Sequence, residues 1–303
     1  MKVKFLGTGT SQGIPVIGCE CNICKSKNKK DIRLRSSIYI NHKNLNFIID
    51  TGPDFRQQVL NNNIKKIDFV LYTHAHRDHT SGIDELRSFN FLQKKSIKAF
   101  GNNYLVNQLK NDFSYIFSGI KYPGLPKIDL KTINKNFVYK KLKIIPIKVN
   151  HHKLEVLGYR IKDFTYITDA NFISNIELSK INNSKILVLN CLQIDKHISH
   201  FNLEEAIDVV KKLKIKKTYF THISHNLGKH NKLNKFLPKN ISSEALPPSA
   251  AHISSNNCSV VVSCLSSGRS HAAPKDLPLG TIVTFIRGEA YSNIQLTVAW
   301  PAS

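Results

Sequence analysis

The sequence predicts an α/β protein with a mixed, layered sheet, followed by an irregular C-terminal extension. Three observations carry that expectation. Short β-branched or aromatic runs, closed by breakers, alternate with segments whose apolar residues recur at helical spacing. Two early runs read as a hairpin, so antiparallel pairing precedes the alternating part. Composition also shifts abruptly after Ile241, from text rich in Lys, Ile and Asn to text rich in Ser, Ala and Pro.

In chain order, Val3–Leu6 is the first expected strand, and it ends at Gly7. Ile38–Asn41 and Leu45–Ile49 form the hairpin, and a helix is expected over Asp54–Asn61. Phe69–Tyr72 is the next strand, Tyr104–Asp112 the next helix, and Leu142–Val149, Thr165–Thr168 and Ile186–Asn190 are strands. The helix Leu203–Leu213 carries Leu203, Ile207 and Val210 on one face, and Asn202 and Glu205 stand at capping-box spacing before it. Thr218–Phe220 is the last strand of this series. Two domains are expected: residues 1–241 as the chemical unit, and 242–303 as a compositionally distinct tail, poorly structured or of unrelated origin. Within the tail, 258–265 and 281–287 have the composition of short strands.

The chain has 303 residues, 41% hydrophobic and 21% charged, enough for a sizeable core. Its formal net charge is +23. Residues 242–303 balance Arg269, Lys275 and Arg287 against Glu244, Asp276 and Glu289, so the whole excess belongs to the first 241 residues. Such charge attracts phosphate-rich ligands. Lysine is scattered rather than gathered, however, which reads as compositional bias before a dedicated nucleic-acid surface. No apolar run approaches the ~20 residues of a membrane-spanning helix. The start carries no ordinary secretory signal, and the expected compartment is the cytoplasm.

The strongest pattern follows Phe69–Tyr72: Thr73-His74-Ala75-His76-Arg77-Asp78-His79. Imidazoles and a carboxylate this dense cannot be core residues without stranding their polar atoms. On a loop past a strand end they converge on metal, and neutral imidazole with carboxylate suits zinc, iron or manganese. The spacing can serve two ions, His74 with His76 on one and Asp78 with His79 on the other. Further candidates also follow strands: His151 and His152 after Val149, Asp169 after Thr168, and His222 after Thr221. Three of the six cysteines, Cys19, Cys21 and Cys24, form a C-x-C-x-x-C run one ligand short of a tetrahedral zinc site. Cys191, Cys258 and Cys264 read as ordinary small core residues.

Residues 1 to about 240 resemble the metallo-β-lactamase superfamily through Phe5-Leu6-Gly7-Thr8-Gly9-Thr10, Asp50-Thr51-Gly52 and the His74–His79 run. Within it they are similar to the phosphoribosyl 1,2-cyclic phosphate phosphodiesterases (PhnP-like), through Gly18–Cys24, Asn150-His151 with Lys153-Leu154, and Thr221-His222-Ile223-Ser224-His225. The resemblance implies an αββα sandwich with a dinuclear site at one edge. It places His74, His76 and His151 on one divalent ion (Mn2+ or Zn2+), Asp78, His79 and His222 on the other, and Asp169 between them. It assigns His225 as fourth ligand of a structural zinc on Cys19, Cys21 and Cys24. It makes His200, before the Asn202 cap, the general acid; His197, close by, is the reserve candidate, and Asp50 is expected to orient a ligand histidine. The expected activity is attack of a metal-bridging hydroxide on a small cyclic or nucleotide-like phosphodiester, with Asp78, Asp169 and His200 as catalytic residues.

A nuclease resembling the tRNA 3′-processing enzymes is the alternative that the basic charge favours, although the long arm of those enzymes is not evident here. A non-catalytic zinc-stabilised binding protein is another. Expected partners are a small phosphodiester substrate and a second copy of the chain, with nucleic acid not favoured and no membrane. After Leu237-Pro238 the resembling family continues into a closing strand. This chain is expected instead to enter the tail, leaving the sheet edge incomplete.

Overall fold

The computed structural model describes residues 1–119, 122–243, 251–254 and 260–262. Its first half contains β1 (Lys2–Gly7), β2 (Ser37–His42), β3 (Leu45–Ile49), α1 (Phe55–Asn61), β4 (Phe69–Leu71), α2 (Arg77–Thr80), α3 (Leu86–Gln93), β5 (Ile97–Gly101), α4 (Asn103–Asp112), α5 (Ser114–Phe117) and β6 (Ile128–Thr132). There follow β7 (Phe137–Tyr139), β8 (Leu142–His151), β9 (Leu154–Ile161), β10 (Phe164–Tyr166), α6 (Asn175–Ile181), β11 (Ile186–Asn190), α7 (Leu203–Leu213), β12 (Lys217–Thr221), α8 (His230–Phe236), β13 (Ile241–Ser243), β14 (Ala251–Ser254) and β15 (Val260–Val262).

The strands form two sheets, ordered β15-β14-β1-β2-β3-β4-β5-β6 and β13-β12-β11-β10-β9-β8-β7. Side chains alternate across each strand, and both faces find apolar partners. Val3, Phe5, Phe47, Phe69 and Leu71 of the first sheet meet Ile144, Leu157, Tyr159, Tyr166 and Tyr219 of the second in a shared inner layer. On the outer face of the first sheet, Ile48, Val70 and Ala99 pack under Phe55 of α1, Phe89 of α3 and Leu105 and Leu109 of α4. The outer face of the second packs Ile147, Leu187, Leu189 and Phe220 against Leu178 of α6, Val210 of α7 and Leu233 of α8. The result is a four-layer αββα sandwich.

Strand direction then decides where chemistry can sit. β3 through β6 run parallel, as do β10 through β13, while β9 runs antiparallel to both β8 and β10. The C-terminal ends of β3, β4, β8, β10 and β12 therefore open towards one edge of their sheets, where candidate sites of α/β sheets gather.

The sheet edge is not left open where the sequence suggested. Ile241–Ser243 pairs parallel with β12, and the Ser243 amide donates to Asn234 Oδ1 of α8 at 2.8 Å. The side-chain anchor on α8 stabilises this short edge strand despite the compositional change at Ile241. β14 pairs antiparallel with β1, and β15 with β14. Of the two tail strands expected from composition, the first is seen at Val260–Val262 and 281–287 lies outside the described residues.

Candidate metal centre

The loop after β4 turns sharply because Thr73 and its neighbours are tied to a buried carboxylate at the end of β3. Asp50 accepts from the Thr73 amide and hydroxyl and from His79 Nδ1, each at 2.8 Å. Having donated to Asp50, the Thr73 hydroxyl accepts from His74 Nδ1 at 3.0 Å. His151 at the end of β8 gives its own Nδ1–H to the Ser199 carbonyl at 2.8 Å. Three imidazoles are thus fixed in the Nδ1–H tautomer, which leaves each Nε2 with a free lone pair.

Those lone pairs converge. Ligand atoms of His74, His76, His151 and Asp169 all lie within 4.8 Å of one another, and so do those of Asp78, His79, Asp169 and His222. Asp169 belongs to both sets and sits between them. Its carboxylate is 3.8 Å from His74 Nε2, 3.3 Å from His79 Nε2 and 3.1 Å from His222 Nδ1. Asp78 Oδ2 approaches His79 Nε2 to 3.1 Å. His200, next to the capping box of α7, completes the cluster with Nε2 3.3 Å from Asp169. Its ring stacks on His222, and its Nδ1 faces Ser199 Oγ and His197 Nδ1 at 3.1 and 3.2 Å. His152, beside His151, is exposed and turned away by a φ of 55°.

The donor set suits a cation. Nε2 of His74 is buried with no hydrogen-bond partner, and Nε2 of His79, in the tautomer that Asp50 selects, faces the Asp78 and Asp169 carboxylates without a proton to share, a costly arrangement unless another group completes them. Burial, reinforced by the neighbouring histidines and only partly opposed by Asp169 and Asp78, depresses His74 well below the usual imidazole range and takes His222 down to about 4. His79 behaves oppositely: burial opposes its protonation, but the surrounding carboxylates of Asp78, Asp169 and Asp50 outweigh that and hold it well above the ordinary value. Burial likewise disfavours ionised Asp169 and Asp78, yet the facing histidines hold both below the usual carboxylate range. The pocket therefore demands positive charge, which a divalent ion supplies.

Backbone geometry supports the same location. Asp50, Asp169 and His222 have φ of 64°, 53° and 54°. Each such non-glycine residue costs on the order of 1 kcal/mol or more, and such strain clusters at functional sites. Sequence reasoning singled out Asp50-Thr51-Gly52 through resemblance but had no signal for the dihedrals at Asp169 and His222. It also missed Thr73 and Ser199, whose supporting roles depend on contacts across loops.

A second group lies on the neighbouring loop. Cys19, Cys21 and Cys24 place their sulfurs 3.3, 3.4 and 3.4 Å from His225 Nδ1. The Cys24 amide, the largest influence, helps to pull the Cys21 thiol down to about 6, whereas burial pushes Cys24 up to about 11. Three thiols and an imidazole of this kind suit tetrahedral zinc. Cys191 is buried, as expected for a core thiol; Cys258 and Cys264 lie outside the described residues.

Residues 45–223 match the sequence model of the beta-lactamase superfamily domain. The fold also matches the crystal structure of a diphosphatase of the PhnP family, with 33% identity and a TM-score of 0.78, covering 85% of this chain and 98% of that one. The chain belongs to the metallo-β-lactamase superfamily, in its PhnP family. It has that fold, with a His/Asp cluster suited to metal. Among curated relatives, an octanoyltransferase of Porphyromonas gingivalis is 32% identical over 247 residues, 80% of this chain and 50% of that protein. Ribonuclease Z of Staphylococcus epidermidis is 29% identical over 168 residues, 54% of this chain and 49% of that protein. The chain thus spans about half the length of these two curated relatives. Among the described residues, no helix is long and apolar enough to cross a membrane.

Proposed function

We propose that this PhnP-family chain is a metal-dependent phosphodiesterase acting on a small cyclic or nucleotide-like phosphodiester. The observation that carries the reading is the pair of four-donor sets sharing Asp169. In this reading His74, His76 and His151 hold one divalent ion, Asp78, His79 and His222 hold a second, and Asp169 serves both. Cys19, Cys21, Cys24 and His225 hold a structural zinc that ties the N-terminal loop to the His222 turn. Two ions bound there would polarise a phosphoryl oxygen and bring a bound water's pKa towards ~7.

The chain's own residues do the rest. Asp50 keeps His79 in the correct tautomer, and Ser199 does so for His151. His200, whose Nε2 faces Asp169 while its Nδ1 faces Ser199 and His197, gives its proton to the departing alkoxide, a contribution of ~10²–10⁴-fold. The octanoyltransferase name describes a protein of which this chain spans 50%, and that activity is not carried over.

A second reading, RNA processing, draws on the ribonuclease Z likeness and the +23 charge. Two arginines on the edge loops are already engaged: Arg35 with Asp54 at 3.0 Å, and Arg77 with Asp112 at 3.6 Å. A crevice of about 360 Å³ lined by Lys43, Lys66, Lys140 and Lys141 lies at the opposite ends of β3 and β8 from the metal cluster. This distribution favours the small substrate. The test is hydrolysis of bis(p-nitrophenyl) phosphate with manganese or zinc, beside His76→Ala. Turnover abolished by chelator and by the variant supports the reading; no turnover in protein holding two ions at the cluster refutes it.

A further inference from the structure

Asn171 ties its own loop to two others. Its backbone amide donates to the Asn150 carbonyl at 2.8 Å, its Oδ1 accepts from the His152 amide at 2.9 Å, and its Nδ2 donates to the Ile198 carbonyl at 3.0 Å. The Asn150 amide in turn donates to the Phe172 carbonyl at 3.0 Å. The three loops are those that carry His151, Asp169 and His200. One side chain therefore locks the surroundings of His151, already held by Ser199.

Two large apolar residues stand on this locked frame and remain in solvent: Phe172 is 57% exposed and Ile198 is 71% exposed. Phe172 is three residues beyond Asp169, and Ile198 is two before His200. A single exposed apolar side chain is ordinary. Two of them, on loops pinned to either side of a candidate metal ligand, match the build of a recognition site: rigid apolar contacts beside a few fixed polar groups.

We propose that Phe172 and Ile198 are specificity-determining residues that receive an apolar or planar ester group of the substrate, and that Asn171 is the positioning residue that holds them beside His151. This deepens the phosphodiesterase reading and rests on it for the identity of the reacting group. The chemical class it selects is a phosphate or phosphonate ester bearing an aryl, nucleobase-like or branched apolar substituent, in preference to one bearing a small alkyl group.

The test separates binding from turnover. Phenylphosphonate and methylphosphonate, neither of which is hydrolysed, are titrated calorimetrically into the metal-loaded full chain. The expected result is about tenfold or more tighter binding of the phenyl compound, the scale of filling an apolar subsite. Phe172→Ala and Ile198→Ala should each erase most of that preference while zinc content and methylphosphonate affinity stay unchanged. Asn171→Ala should narrow the preference with zinc content unaltered, a split that general loosening of the fold would not give. Equal affinity for the two compounds, or a preference that survives in both alanine variants at the rim, overturns the inference. Hydrolysis of bis(p-nitrophenyl) phosphate measured on the same samples reports separately on the phosphodiesterase reading.

Discussion

Asp50→Asn changes one atom's chemistry and should disable one metal position more than the other. Asp50 accepts three hydrogen bonds, one on Oδ1 from the Thr73 amide and two on Oδ2, from the Thr73 hydroxyl and His79 Nδ1. A carboxamide cannot reproduce this pattern. With its oxygen towards the Thr73 amide, its NH2 faces His79 and forces the imidazole to accept through Nδ1, which moves the proton to Nε2 and removes the lone pair aimed at the cluster. With the amide reversed, NH2 confronts the Thr73 N–H. Two mismatched bonds to a formerly charged acceptor, each worth about 1.5–3 kcal/mol, set an upper limit near 6 kcal/mol. Burial already raises the Asp50 pKa, so the amide recovers part of the cost of a buried charge. A net loss of about 3 kcal/mol follows, or about 6–12 °C in Tm. Metal affinity should fall about 10–100-fold at the Asp78/His79/His222 position and far less at the His74/His76/His151 position. Competition with a chromophoric zinc chelator resolves the two. Equal weakening of both ions, or none, would refute the tautomer argument.

Further outcomes follow from other contacts. Cys21→Ser should release about one equivalent of zinc by elemental analysis and lower Tm if the proposed zinc is held by the converging Cys19, Cys21, Cys24 and His225. Gly52→Ala puts a Cβ 2.0 Å from the Asp78 carbonyl oxygen; backbone must shift where the ligand helix begins, costing about 1–3 kcal/mol in urea melts together with activity. Burial, then Arg33 and Lys30, hold His230 at about 4. The unfolded chain therefore binds a proton that the folded chain does not between about pH 6.5 and 4; stability falls on acidification through that window, and His230→Gln should flatten the slope between pH 5 and 7. If the substrate is small, kcat/KM should vary only weakly with salt, whereas a single-stranded RNA partner lowers affinity with a log–log slope of about −0.7 per phosphate contact.

Elements whose pattern is local were legible in the sequence. The helix Leu203–Leu213 appears with the boundaries read from its cap, because Asn202 and Glu205 form a reciprocal capping box. The strands before His74 and His222 were visible as apolar runs stopped by polar residues. β9 was not. Its sequence Leu154-Glu155-Val156-Leu157-Gly158-Tyr159-Arg160-Ile161 interrupts the apolar pattern with glycine, and only the fold explains why. A Cβ at Gly158 would lie 2.8 Å from Ile167 Cγ1 and 3.0 Å from the Tyr166 carbonyl, so the neighbouring strand requires its absence. β5 and β6 were hidden similarly by lysines and an aspartate, Lys98, Asp129 and Lys131, on strands stabilised by their parallel neighbours rather than by local propensity.

Positive φ alone does not mark the site. Eleven non-glycine residues have it among the described residues, and six are lysines: Lys43, Lys94, Lys140, Lys141, Lys162 and Lys214. Lys94 and Lys214 close the helices α3 and α7, and the others lie in hairpin turns, where a left-handed residue lets the chain reverse and the side chain reaches water. Asp50, Asp169 and His222 share the dihedral but not the setting. Each is at most 2% exposed and follows a strand end, so the turn sends a polar side chain inward instead of releasing it to solvent. A backbone cost added to a desolvation cost persists only where something compensates both. At Asp50 the three hydrogen bonds do so within the protein. Asp169 and His222 face each other and the buried Nε2 atoms of His74 and His79, and a cation held between them would supply the compensation.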